Sequence, residues 1–110
     1  MTAEELRSWC LGMAGAEETF PFDASVSVFK VAGKIFALSA LSDEPLDVSV
    51  KCDPDYAEEL RATHTSIIPG YHLNKRHWIT VTLGGDAGGD LVRELIADSH
   101  ALVAPGGSRR

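Results

Sequence analysis

Leu6, Trp9, Cys10 and Met13 recur at helical spacing near the start of the chain, behind Thr2 and Glu5 at the spacing of a capping box. The pattern predicts an amphipathic helix over residues 3–14, followed by a loop through Gly15 and Pro21. The period then changes to two. Val26, Val28 and Lys30 fall on one face of a strand, and Phe29 and Val31 on the other. Ala32-Gly33 fits a tight hairpin turn, with a second strand returning over 34–41. Ser42-Asp43-Glu44-Pro45 is turn chemistry, and Leu46, Val48 and Val50 mark a third strand.

Asp53-Pro54 has the form of an N-cap with proline at the first helical position. It launches a second helix to about His64, with Ala57, Leu60 and His64 on one face. Beyond Pro69-Gly70, the segment His77 to Leu83 has strand composition, Trp78, Thr80 and Thr82 opposing His77, Ile79, Val81 and Leu83. The run GGDAGG, residues 84–89, reads as a flexible connection. A third helix follows over 90–103, with Val92, Ile96, Ser99 and Val103 beside Leu91, Leu95 and Leu102. Strands clustered between helices predict an α+β fold, an antiparallel β-sheet with helices packed on it. One domain is expected over 1–103, with a flexible tail over 104–110.

Composition narrows the function classes. A chain of 110 residues is one domain's worth, and 45% hydrophobic with 24% charged residues excludes wholesale disorder. The start carries Glu4 and Glu5 where a secretory signal needs positive charge, and the longest nearly apolar run, residues 35–41, is far too short to span a membrane. A soluble, cytoplasmic protein with no membrane association is expected. Cys10 and Cys52 form neither a disulfide framework nor a paired metal motif.

Charge is distributed unevenly. Ten basic and sixteen acidic residues give a net charge of −6, which argues against strong nonspecific attraction to polyanions. Yet the segment from Leu60 to Gly85 contains no Asp or Glu and holds Arg61, Lys75 and Arg76. Within it, Tyr71 to Trp78 (YHLNKRHW) interleaves aromatic rings, histidines, an asparagine and a Lys-Arg pair. One reading is a nucleic-acid-binding face, with Lys75 and Arg76 on phosphates. Lys30, Lys34 and Lys51 would extend that grip, and Tyr71, His72, Asn74 and His77 would stack or hydrogen-bond. The other reading is structural: Tyr and Trp as core anchors, and basic residues guarding a sheet edge.

The segments PFDASVSVFKVAGKIFAL, VKCDPDYAEELR, PGYHLNKRHW and ELIADSHALV, in this order, resemble the MmcQ/YjbR family from residue 1 to about 103. The block Pro69 to Trp78 is the most specific part. The resemblance implies a CyaY (frataxin-like) α+β architecture and DNA binding through a "double wing" of hairpins. It places Pro69, Gly70, Tyr71, His72, Asn74, Lys75, His77 and Trp78 on the family's characteristic block, with Lys51 and Cys52 on a second. Ile79 stands where the family often has a polar Asn, removing a polar contact expected beside Trp78. His100 stands where Tyr is frequent.

Pro69 and Gly70 are expected to shape a turn that presents Tyr71 and His72 together. Glu4, Glu5, Glu17 and Glu18 form an acidic surface that reads as a solvated face. His64, His72, His77 and His100 lack metal-ligand spacing, so no metal site and no cofactor are expected. Cys52, ahead of a helix N-terminus, is a candidate reactive thiol opposed by the adjacent Asp53. No nucleophile elbow or phosphate loop occurs, and no enzyme activity is expected. The expected partner is DNA, bound weakly and with salt sensitivity. The alternative is an acidic protein partner taken by the same face of a monomer. Either would bind more strongly between pH 7 and 6 if ordinary histidines charge at the contact.

Overall fold

The computed structural model describes residues 1–70, 74 and 76–106. Three helices, α1 (Ala3–Leu11), α2 (Pro54–Thr63) and α3 (Gly89–Val103), accompany six strands. These are β1 (Glu17–Thr19), β2 (Ser27–Val31), β3 (Lys34–Ser39), β4 (Asp47–Lys51), β5 (Ile67–Pro69) and β6 (Trp78–Thr82). They form one antiparallel sheet in the order β1-β2-β3-β4-β6-β5. The fold is α+β.

The helix starts follow local chemistry. Thr2 accepts a hydrogen bond from Glu5 N while Glu5 accepts one from Thr2 N, closing the capping box of α1. Asp53 caps α2 by accepting from Tyr56 N, with Pro54 at the first helical position. α1 ends at Leu11, three residues earlier than the apolar spacing suggests. Gly12 N turns back to Ser8 O, and Gly15 takes a φ of +71° that the helix cannot continue through.

All three helices cover the same face of the sheet. Leu6 and Cys10 from α1, Ala57 and Leu60 from α2, and Val92, Leu95, Ile96 and Val103 from α3 form one core with Phe29, Val31, Ala37, Val48, Val50, Ile79 and Val81. Period-two alternation in the strands is the cause. Trp9 stands at the rim of this core rather than inside it: its indole donates to Arg93 O, and the Arg93 guanidinium lies 5.8 Å from the ring centre. The opposite face carries no helix. Its middle row is Val28, Leu38, Ser49 and Thr80, in cross-strand register, with the Ser49 and Thr80 hydroxyls 2.8 Å apart.

β3 breaks the alternation once. A bulge against Phe29 sends both Phe36 and Ala37 into the core, where Phe36 meets the His100 ring edge-on at 5.1 Å. His100 also hydrogen-bonds Ala14 O through Nε2, so His100 is a packing element. Ile79 is fully buried on the helix side, whereas its neighbour Trp78 faces the other way. An Asn there would therefore not have lain beside Trp78.

The strands at both sheet edges, β1 and β5, are three residues long and carry no alternation to announce them. Pro69 sits in the edge strand β5, a position that a residue without an N–H tolerates. The GGDAGG run is a pinned loop rather than a flexible connection. The Asp86 carboxylate accepts from Thr65 N, Thr65 Oγ1, Ser66 N and Ser66 Oγ. A Cβ on Gly85 would lie 2.7 Å from Ser66 Cβ, so that contact requires glycine. Past α3, Ala104 still packs on the core, and residues 107–110 lie outside the described residues.

Candidate functional site

The sheet register brings two hairpin ends to the same edge of the molecule. β2 and β3 turn at Ala32-Gly33, and β5 and β6 are joined through residues 70–77. Lys51 ends β4 between them and faces Trp78 across the β4–β6 ladder. Both side chains lie on the helix-free face, the same face as Lys30.

Between the two hairpins the sheet forks. β3 and β4 pair only at Ala37–Val50 and Leu38–Ser49, then separate. The hydroxyl of Ser99, fully buried on α3, enters the gap: Lys51 N donates to it at 2.8 Å and it donates to Phe36 O at 2.6 Å. The hydroxyl replaces ladder bonds and satisfies both backbone groups. Ser99 belongs to the helical stripe read from the sequence, but spacing alone marks only its face and not this role.

The second hairpin is held at its base by backbone. Gly70 N donates to Trp78 O at 2.8 Å, and Cys52 N donates to His77 O at 2.7 Å. A Cβ on Gly70 would stand 2.8 Å from Trp78 Cβ. Gly70 does not have positive φ. Close approach to Trp78, not a special turn angle, is what demands glycine here. Asn74 uses its side-chain carbonyl to accept from Arg76 N at 2.9 Å, and His77 N donates to Asn74 O. It thus shapes the loop through both its side-chain and its backbone carbonyl.

The sequence-predicted site residues divide as follows. Lys51, His77 and Trp78 lie together at the forked end, whereas Lys30 sits two strands away on β2 in register with Glu17, and exposed Lys34 occupies the tip of the first hairpin. Arg76 lies instead toward α2, in a groove with Pro54, Asp55, Glu58 and Arg61. Tyr71, His72 and Lys75 lie outside the described residues. Lys30, Lys34, Lys51 and Arg76 make no ion pair among the described residues. Arg7, by contrast, is paired with Glu18 at 2.8 Å, which together with Ser27 holds the Glu18 carboxyl below its ordinary pKa.

The cysteines are buried. Desolvation, with the Glu18 charge adding to it, pushes the Cys10 thiol up to about 12, which keeps it protonated. Cys52 is 5% exposed at the entry to α2. Among the described residues no group of three His, Cys, Asp or Glu side chains could hold a metal ion. No helix among them is long and apolar enough to cross a membrane.

The YjbR family model matches residues 11–102, a span that includes the fork, both hairpins and the Ser99 wedge. The chain belongs to the YjbR family. Two relatives from Escherichia coli match over most of the chain. YbdF of strain O157:H7 is 39% identical over 108 residues, covering 97% of this chain and 88% of its own. YjbR of strain K12 is 35% identical over 100 residues, covering 91% and 85%. Both are described only as uncharacterised proteins. The crystal structure of the Deinococcus radiodurans protein DR2400 superposes with a TM-score of 0.88 at 41% identity, covering 99% of this chain and 96% of that one. A Pseudomonas syringae crystal structure gives 0.77 at 27% identity, covering 90% and 96%. YjbR membership thus fixes the architecture, while the ligand must be argued from the site.

Proposed function

We propose that this YjbR protein is a cytoplasmic binding module that contacts nucleic acid through the forked end of its sheet. The observation that carries this reading is the Lys51–Trp78 pair, set between the two hairpins, with no ionic partner for the lysine among the described residues. A lysine beside an aromatic face suits a backbone phosphate next to an unpaired or partly unstacked base. Lys30 and Lys34 on the first hairpin, and Lys75 by its place in the sequence, supply further phosphate contacts. Binding is the proposed activity, without catalysis.

Few cations take part, so binding is expected to be weak, with log K falling by about 0.9 for each phosphate contacted per decade of salt. The test is an amide-shift titration of the full chain with a short DNA duplex at low and physiological salt. Shifts should concentrate on Lys51, His77, Trp78 and the Ala32-Gly33 turn. Lys51→Glu should weaken affinity about tenfold, roughly 1.4 kcal/mol. Lys75→Glu/Arg76→Glu should weaken it further while the fold persists. Silence at low salt overturns the reading. An acidic protein partner for the same face then becomes the reading to pursue, since it needs the same charges but offers no base edges.

A further inference from the structure

The groove between α2 and the base of the second hairpin holds about 330 Å³ and is lined by Pro54, Asp55, Glu58, Arg61 and Arg76. Arg61 sits in the last turn of α2, where the helix dipole favours a cation but provides no hydrogen bond to it. Its Nη1 has no contact with solvent and no hydrogen-bond partner among the described residues. A guanidinium carries five donors and is always charged, so leaving one of them dry and unpaired opposes folding. A bound oxyanion is one group that would complete it. Arg76 lines the same groove and makes no ion pair among the described residues.

We infer that Arg61 and Arg76 form a subsite for a tetrahedral oxyanion, a phosphate group held between two guanidinium forks. Planar guanidinium forks match phosphate oxygens bidentately, which a lysine cannot do. The groove lies on the helix side, apart from the Lys51–Trp78 pair, and shares only Arg76 with the reading above. Asp55 and Glu58 on the α2 rim cancel much of the two positive charges at a distance. Recognition therefore relies on short-range geometry, and binding is less sensitive to salt than at the forked end. The phosphate belongs either to a small phosphorylated molecule or to a nucleic-acid backbone that wraps past the hairpin.

The test compares inorganic phosphate with chloride at equal ionic strength, using thermal unfolding and the guanidinium NMR signals of the full chain. Phosphate should raise the wild-type Tm saturably and shift the Arg61 side-chain signals. Arg76→Gln and Arg61→Met should abolish the rise, and Arg61→Met should melt no lower than wild type in chloride, since it removes the unpaired donor. If Arg61→Met fails to fold, the exposed Arg76→Gln change and the wild-type Arg61 signals decide. No response beyond chloride, or a response unchanged in Arg76→Gln, overturns the subsite. A short duplex that competes with phosphate identifies the backbone as the source. A phosphate response without any duplex binding leaves the subsite standing and removes the nucleic-acid reading. Duplex shifts at Lys51 and Trp78 with silent Arg61 signals and no phosphate response do the reverse.

Discussion

The two ends of β6 treat charge and hydroxyls in opposite ways. Beyond Thr82, the loop into α3 carries an exposed carboxylate that is satisfied within the chain: Asp86 accepts from two backbone N–H groups and two hydroxyls. At the other end, neither Lys51 at the end of β4 nor Arg76 before Trp78 makes an ion pair among the described residues. The same helix shapes both ends. Its leading loop staples one end shut, while Ser99, further along, keeps β3 and β4 apart at the other. A polar group whose valence is filled internally builds structure, and one left unfilled at an open edge is available to a partner. That contrast separates the staple from the candidate site more clearly than residue type does.

Gly70→Ala should break the contrast most strongly. The added Cβ meets Trp78 Cβ at 2.8 Å with backbone atoms just behind, so the hairpin base must move. A loss of about 2–3 kcal/mol in denaturant unfolding is expected, the usual cost of overpacking a tight contact. Wild-type stability in this variant would show that the close approach carries no strain.

Ser99→Ala empties the fork of its wedge. Lys51 N and Phe36 O are then left buried without a partner, for a loss of about 2 kcal/mol. Amide exchange at Lys51 should accelerate more than at Val50, whose ladder bonds remain. Equal acceleration along β4 would mean that the hydroxyl does not hold the fork.

Asp86→Asn attacks the staple and should lower Tm at pH 7 by less than the Ser99 change. Hydrogen bonds from Ser66, then Thr65, hold the Asp86 carboxyl well below its ordinary pKa of 3.8. A depressed folded pKa means that the stabilisation is present above about pH 4 and is lost as pH falls through the folded value. Melting curves of the two proteins should thus converge in strong acid. A gap that stayed constant with pH would assign the effect to shape rather than charge.

The smallest effect sharpens the forked end. Ala32 adopts a φ of +51° beside Gly33 at +78°, a turn geometry that costs a residue with a Cβ. Ala32→Gly should stabilise by a few tenths to about 1 kcal/mol, the relief of the left-handed strain exceeding the added chain entropy. Chemical denaturation checks the sign, and a destabilised variant would show that entropy wins at this turn.

The helices, the β2–β3 hairpin and the strand faces were legible because each follows from residues within one or two turns of each other. Thr2 and Glu5 close the capping box, Asp53-Pro54 opens α2, and Phe29 and Val31 oppose Val28 and Lys30 as alternation requires. The four sequence blocks between Pro21 and Val103, with Pro69 to Trp78 the most specific, also sufficed for the family. The edge strands were not legible. Glu17–Thr19 and Ile67–Pro69 become strands only because β2 and β6 offer them hydrogen bonds.

The candidate site divides along the same line. The amino-acid sequence by itself determined that cations and aromatic rings cluster between Leu60 and Gly85, with no acid among them. Tertiary structure decided which of them meet: Lys51 joins Trp78 from 27 positions away, while Arg76 turns toward Arg61 and the acidic rim of α2. It also decided that Gly70 is there for Trp78, and that Ser99 is a wedge rather than one more position on a helical stripe. Periodicity reports which face a side chain occupies. The partner it meets there is set by register and by contacts between residues far apart in the chain, which only the folded backbone brings together.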